Sequence, residues 1–230
     1  MHIENQKKYC RFVALAIALA ATSGANAMED DAIFNATRLE MDTGRANGGG
    51  NVQSIRGEGW IGTDYNRFAW KAEGAREHGT TSDVELQALY ARYLAPFWEL
   101  QMGVRHQDKP DSRNYVAVGV RGLAPYSFDV DLALFVRSDG KLFARTRAEY
   151  DLLWTNRLIF RPYAFADWSA SHIAADDIKR GAESIEAGVN LRYEISRAVA
   201  PYVEVARNQR YAISGRQGIS SVRLGLRLLF

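Results

Sequence analysis

The 230-residue sequence predicts an all-β fold, a transmembrane antiparallel β-barrel of about twelve strands behind a cleaved signal peptide. Three features carry that expectation. The chain ends on Val222 to Phe230, with Val222, Leu224, Leu226, Leu228 and Phe230 on one face and Arg223, Gly225 and Arg227 on the other. A period of two sends successive side chains to opposite faces of a sheet, so this strand wants hydrocarbon on one side and water or counter-charge on the other. The chain starts with a secretory address, and no later apolar run reaches the roughly 20 residues a membrane-crossing helix needs. A membrane protein without such helices must satisfy its backbone as a closed barrel.

The address comes first. Lys7, Lys8 and Arg11 precede the apolar run Phe12 to Ala21, and Ala25-Asn26-Ala27 supplies a small-residue cleavage site. Residues 1–27 are therefore the expected signal peptide and 28–230 the barrel domain. The lone cysteine, Cys10, leaves with the signal, so the mature chain is expected to have neither disulfides nor thiolate metal sites. The signal holds three of the 29 Lys and Arg and one of the 27 Asp and Glu, leaving 26 of each. That neutral balance carries no basic excess for a nucleic-acid partner.

The strands follow in order. Segments 33–42, 52–64, 66–76 and 83–93 alternate weakly. Phe97 to Gln107 alternates clearly, with Trp98, Leu100, Met102 and Val104 against Glu99, Gln101, Gly103 and Arg105. After 114–124, Phe128 to Arg137 sets Val130, Leu132 and Leu134 against Asp129, Asp131 and Arg137. Leu142 to Leu152 sets Ala144, Thr146, Ala148 and Tyr150 against Arg145, Arg147, Glu149 and Asp151. Then come 157–168, Ala187 to Ile195, 201–211 and the terminal strand from 219. These are the lengths that cross a membrane as strands, roughly 9–11 residues. A soluble sandwich also alternates, but it turns its apolar face inward, and here the other face is charged in nearly every segment.

Connections alternate between short and long. Short ones fall at 64–66, 94–96, 123–125, 154–156 and 196–201, and long ones at 43–51, 77–82, 108–113, 169–182 and 212–218. Ser138-Asp139-Gly140 is a tight Asp-Gly turn on the long side. Outer-membrane barrels place short turns in the periplasm, so an even strand count puts both termini there. The short side repeats a phrase: Ala95-Pro96-Phe97, Ala124-Pro125-Tyr126 and Ala200-Pro201-Tyr202. Proline there is expected at the first strand residue, where no ladder donor is missed, with its aromatic in the interfacial girdle.

Parity assigns the lumen. Arg38, Glu40, Arg56 and Glu58 come from the first two segments, and Lys71, Glu73 and Glu85 from the next two. Glu99, Arg105, Arg121, Asp129 and Asp131 follow, then Arg145, Arg147, Glu149 and Asp151. Arg192, Glu194, Glu204, Arg223 and Arg227 complete the set. Mixed signs favour cross-strand ion pairing that fills a narrow lumen over a cation-selective field.

These residues resemble those of the copper resistance protein B (CopB/PcoB-type) outer-membrane family. The likeness is densest in Gly59 to Arg67, Glu85 to Arg92, Leu94 to Arg105, Gly122 to Tyr126, Ala148 to Leu153 and Leu191 to Ile195. The resemblance implies a barrel in contact with outer-membrane lipids that serves copper tolerance, copper ion as the metal handled, and a periplasmic copper-binding protein as partner. The expected function is to bind or move copper at the outer membrane as a monomer; the alternatives are a docking barrel for that partner or a narrow general channel. The resemblance also implies a Met- and His-rich segment ahead of the barrel, where this sequence has only Met28 to Ala32 after the expected cleavage site.

Metal ligands are sparse. Met41 and Met102 fall on the lipid-facing parity. His78, His106 and His172 all belong to the outer rim or outer loops on this topology, beside Asp108, Asp176 and Asp177. Imidazole with oxygen donors suits Cu(II), which makes the three histidines the candidate copper ligands, although their spacing matches no ligand motif. Catalysis is not expected. His106 or His172 with Ser171 has the residue types of a rim hydrolase, but no nucleophile signature surrounds them.

Overall fold

The computed structural model describes residues 32–47, 49–77, 79–109 and 111–230. The signal segment 1–27, His78 and Pro110 lie outside them. Thirteen strands form one antiparallel sheet: β1 Phe34–Ala46, β2 Asn51–Gly62, β3 Asn66–Glu77, β4 Thr80–Ala95, β5 Trp98–Lys109, β6 Arg113–Ala124, β7 Phe128–Arg137, β8 Leu142–Tyr150, β9 Leu152–Leu153, β10 Leu158–Ser169, β11 Gly181–Tyr193, β12 Val199–Tyr211 and β13 Arg216–Leu229. Strands pair in chain order, with β8 and β9 both paired to β10, and β13 returns to β1 in register from Arg38↔Leu229 to Ala46↔Ser221. Phe230 finishes the seam: its N–H donates to the Thr37 carbonyl and its own carbonyl accepts from the Thr37 N–H, at 2.9 and 3.0 Å. The sheet therefore has no free edge, which is the condition for crossing hydrocarbon with strands.

β8 and β9 are one stave. Both pair with β10 in the same register, Glu149↔Tyr163 on one side of the gap and Leu152↔Phe160 on the other. The gap at Tyr150 and Asp151 lies opposite Pro162 and Arg161, where the proline ring leaves β10 without an N–H. Counted as staves, the barrel has twelve.

The strands match the expected segments with local extensions. β4 begins at Thr80 rather than 83, β11 at Gly181 rather than 187, and β13 at Arg216 rather than 219. Polar residues at these ends hide the alternation, and bulges at Ala75/Arg76 and Asp167/Trp168 break its parity. The proline expectation is corrected. Pro96 lies in the β4–β5 turn and Pro125 in the short turn after β6, while Pro201 is the third residue of β12. Pro201 misses no donor on its β11 side, because that ladder ends one residue away at Arg192↔Tyr202. The aromatics differ too: Phe97 and Tyr126 are exposed turn tips, whereas Tyr202 is buried in the lumen.

Alternation sorts the two faces. Leu86, Met102, Val104, Val116, Leu134, Val205 and Leu224 are exposed on the outside as the lipid belt, with Met41 among them. Trp70 lies over Gly57 and Gly59 on that face; a Cβ at Gly59 would stand 2.7 Å from its Nε1. The missing side chains make the seat for the indole.

Candidate functional site

The inner face is an ion-pair lattice. Every charged residue assigned to the lumen from the sequence has an opposite charge within 4.0 Å. Four of the pairs do not join neighbouring staves but cross the lumen between the β2–β4 wall and the β6–β8 wall. Arg121 grips Glu58 with both terminal nitrogens at 3.2 Å. Lys71 pairs with Asp131, Arg147 with Glu73 at 2.5 Å, and Arg145 with Glu85 at 2.9 Å. Glu85, 2 % exposed, also meets Arg105 at 2.6 Å. Desolvated charges survive only when paired in this way.

A second group joins the seam staves. Tyr202 lies over its cross-strand partner Gly225 and donates its hydroxyl to Asp42 at 3.1 Å. Tyr163 lies over Gly188 and donates to Glu204 at 2.9 Å. Arg223 meets Glu204 at 2.9 Å, and Arg56 meets it at 3.5 Å. Asp42 was not assigned to the lumen from the sequence, since β1 was expected to end there; the strand runs four residues further. Near the short turns, Arg161 pairs with Asp151 and Glu149, Arg192 reaches Asp151 and Glu194, and Arg227 stands 3.9 Å from Glu40. The space left among Glu40, Arg56, Tyr163, Arg192 and Glu204 is about 10 Å³, room for about one water.

The lumen also holds an apolar cluster that charge alternation concealed. Tyr115, Phe135, Phe143 and Leu89 pack inside, and the Arg105 guanidinium lies 4.6 Å from the Phe135 ring centre. Ile173, from the loop after β10, joins the cluster from the outer side. That loop is held at both ends. Asp176 accepts from Arg137 at 2.5 Å and from Arg113 at 2.9 Å. Asp177 accepts from the N–H and hydroxyl of Ser214, and Ile178 bridges Ala212, both in the β12–β13 connection. Ser214 hydrogen bonds hold the Asp177 carboxyl below the usual carboxylate range, and Arg137 does the same for Asp139.

The short-turn end is open. A vestibule of about 640 Å³ lies there, lined by Trp60, Tyr65, Tyr93, Phe97 and Trp98 with Asp64, Arg67, Glu99, Arg121 and Asp129. Arg67 stacks 4.1 Å over Trp60 and stands 3.7 Å from Glu99. Phe97 and Tyr126 carry φ of 68° and 67°, a left-handed backbone that costs a bulky residue about 1–3 kcal/mol.

Of the three candidate histidines only His106 and His172 are among the described residues, and they do not come together. His106 points outward from β5, on the same parity as Met102 and Val104, with Nδ1 2.7 Å from Asn114 Oδ1. His172 is exposed in its loop, where Asp176 and Asp177 are engaged elsewhere. Among the described residues no three of His, Cys, Asp or Glu are grouped to hold a metal ion. Strand parity carried the outward turn of His106, one residue past Arg105.

The family model described as copper resistance protein B precursor (CopB) matches residues 32–230. The chain belongs to the copper resistance protein B family. It is 37 % identical to copper resistance protein B of Escherichia coli over 187 residues, covering 81 % of this chain and 63 % of that one. The copper resistance protein B homolog of Pseudomonas syringae pv. tomato is 35 % identical over 181 residues, covering 75 % and 62 %. The chain thus spans about three fifths of the length of these relatives. In fold it is similar to the NanC porin, with TM-score 0.60 and 14 % identity over 83 % of this chain and 98 % of that one. The KdgM porin is similar at TM-score 0.55 and 13 % identity, with the same coverage. The family member described here is a barrel of the Gram-negative outer membrane, its apolar belt against lipid.

Proposed function

We propose that this chain serves copper tolerance as a non-catalytic, monomeric outer-membrane barrel that binds or moves copper, with the ion as cargo exchanged at the periplasmic mouth. On this reading residues 1–27 are removed on export. The vestibule carries the proposal: the lumen above it is crossed by four ion pairs, while about 640 Å³ stands open toward the periplasm. Its carboxylates, Asp64, Glu99 and Asp129, are hard oxygen donors that suit Cu(II) over Cu(I). Among the described residues no methionine lines it, so a periplasmic carrier would supply any soft ligands. Copper survival of a deletion strain, complemented by this chain and compared with zinc and nickel challenge, tests the role. Copper content of the purified protein, with and without substitution of His78, His106 and His172 or of Glu99 and Asp129, tests where the ion rests. A strain equally sensitive to all metals would sink the copper assignment.

A second reading is favoured by the turn tips. Phe97 is 74 % and Tyr126 88 % exposed, each in costly left-handed backbone at the periplasmic end. Bulky aromatics held there suit a docking surface for a periplasmic copper-binding protein.

A further inference from the structure

We propose that Arg45, Arg207 and Arg216 form a binding site for a phosphorylated lipid of the outer leaflet, on the outside of the barrel beside its seam. The arginines of the lumen are paired, whereas these three are exposed and have no acidic partner within 4.0 Å among the described residues. Their direction follows from register. Arg45 lies opposite Val222, Arg207 opposite Ser220 and Arg216 opposite Tyr211, all on the outward parity of β1, β12 and β13.

Their height follows as well. Val203 and Val205 on β12, with Leu224 and Val222 on β13, are exposed belt residues. Arg207 is the next outward position above Val205, toward the long-loop end, and Arg45 sits level with Val205 across β13. Arginines at the upper border of an apolar belt stand at headgroup depth. Strand spacings of about 3.4 Å along and 4.8 Å across put the Cα atoms of Arg45 and Arg207 roughly 12 Å apart, those of Arg207 and Arg216 roughly 14 Å, and those of Arg45 and Arg216 roughly 21 Å. Arg207 stands between the other two, so a glycolipid headgroup with more than one phosphate bridges the set where a single small anion does not. Arg216 is stacked 5.2 Å over Tyr211, which fixes its direction.

The chemistry selects phosphate. A guanidinium presents a planar fork that matches phosphate oxygens bidentately. Unpaired cations at the belt border (Arg45 and Arg207) and above it (Arg216) attract anionic headgroups, and three on adjacent staves give one lipid several contacts. The occupant is therefore a membrane-embedded phosphorylated glycolipid, whose acyl chains lie on Val205, Val222 and Leu224 while its phosphates meet the arginines.

The test uses the full chain folded in detergent micelles. Lipopolysaccharide, its dephosphorylated form and inorganic phosphate are compared by native mass spectrometry for the wild type, for R45Q/R207Q/R216Q, and for R92Q/R157Q/R197Q at the other end of the barrel. Circular dichroism checks that each variant is folded. The expected result is a loss of roughly tenfold or more in lipopolysaccharide affinity for the first variant, little change for the second, and equally weak binding of the dephosphorylated form by the wild type. Unchanged affinity in the first variant, or an equal fall in both, overturns the site. Displacement by millimolar inorganic phosphate overturns the lipid assignment in favour of a free-anion site.

Discussion

Arg121 on β6 holds Glu58 on β2 through two 3.2 Å hydrogen bonds across the barrel, although three staves separate them around the wall. This contact and its three companions make the β2–β4 wall face the β6–β8 wall closely enough for side chains to touch. Arg38 shares the same carboxylate at 2.8 Å and Asp129 the same guanidinium at 3.6 Å, so the brace is a junction of four charges.

Removing half of that junction leaves an uncompensated charge. R121Q is expected to destabilise the folded barrel by about 1–3 kcal/mol, less than for a fully buried pair because both side chains keep 26 % of their exposure. The double swap E58R/R121E should recover part of the loss, although Arg38 and Asp129 would then face like charges. Urea unfolding in detergent measures it. Equal stability of R121Q and wild type would show that the brace contributes nothing.

Tyr202 depends on the absence of a side chain at Gly225. A Cβ there would stand 2.2 Å from the Tyr202 ring, so G225A must push the ring off its seat and away from Asp42. The expected cost is about 1–3 kcal/mol, as for other overpacked sites. Y202F keeps the ring and removes only the hydroxyl donor, at an expected cost of about 1–2 kcal/mol. Unfolding midpoints that rank Y202F below G225A would contradict the seating argument.

The outer loop should resist mild acid. Ser214 lowers Asp177 and Arg137 lowers Asp139, so each carboxylate contributes above its unfolded value of about 3.9 and loses that contribution as pH falls through the lower folded-state value. The segment from Ala170 to Arg180 is therefore expected to stay protected from pH 8 to about pH 5 and to loosen only below about pH 4. Hydrogen exchange at matched intrinsic rates reads this directly. Opening between pH 6 and 5 would mean that another group governs the loop.

Phe97 tests the docking reading. F97G relieves the left-handed backbone and is expected to leave stability unchanged or raise it by up to about 1 kcal/mol. If the exposed ring serves a partner, the same variant lowers copper survival while the barrel remains folded. Full copper tolerance with F97G in place of the wild type would remove the turn tip from the function.

Much of the fold was legible because a membrane barrel writes itself in a short period. Leu142 to Leu152 showed its faces by simple alternation, and Arg145 and Arg147 of β8 do reach across the lumen. The ends of β4, β11 and β13 were illegible, because polar residues beyond the belt face water on both sides and leave no contrast. The interruption at Asp151 was hidden for another reason: its cause, Pro162, sits on a different strand.

At the site, alternation assigned Glu58, Glu85, Arg121 and Arg145 to the lumen, and each stands beside an opposite charge. It missed Asp42, which lay at an expected strand end, and the cluster of Phe135, Tyr115 and Phe143, whose apolar character argues for lipid. His106 was expected at the outer rim as a candidate ligand; one step of parity past Arg105 faces it outward, beside Asn114.

By itself the sequence determined the face of the side chains on its clearly alternating segments, because inward and outward there are set by the strand's own period and by the contrast between lipid and water. Only the closed barrel decided which charges meet. Glu58 with Arg121, Lys71 with Asp131 and Ile173 with the inner cluster are contacts across curvature, and no local pattern along the chain encodes a distance that closure alone creates.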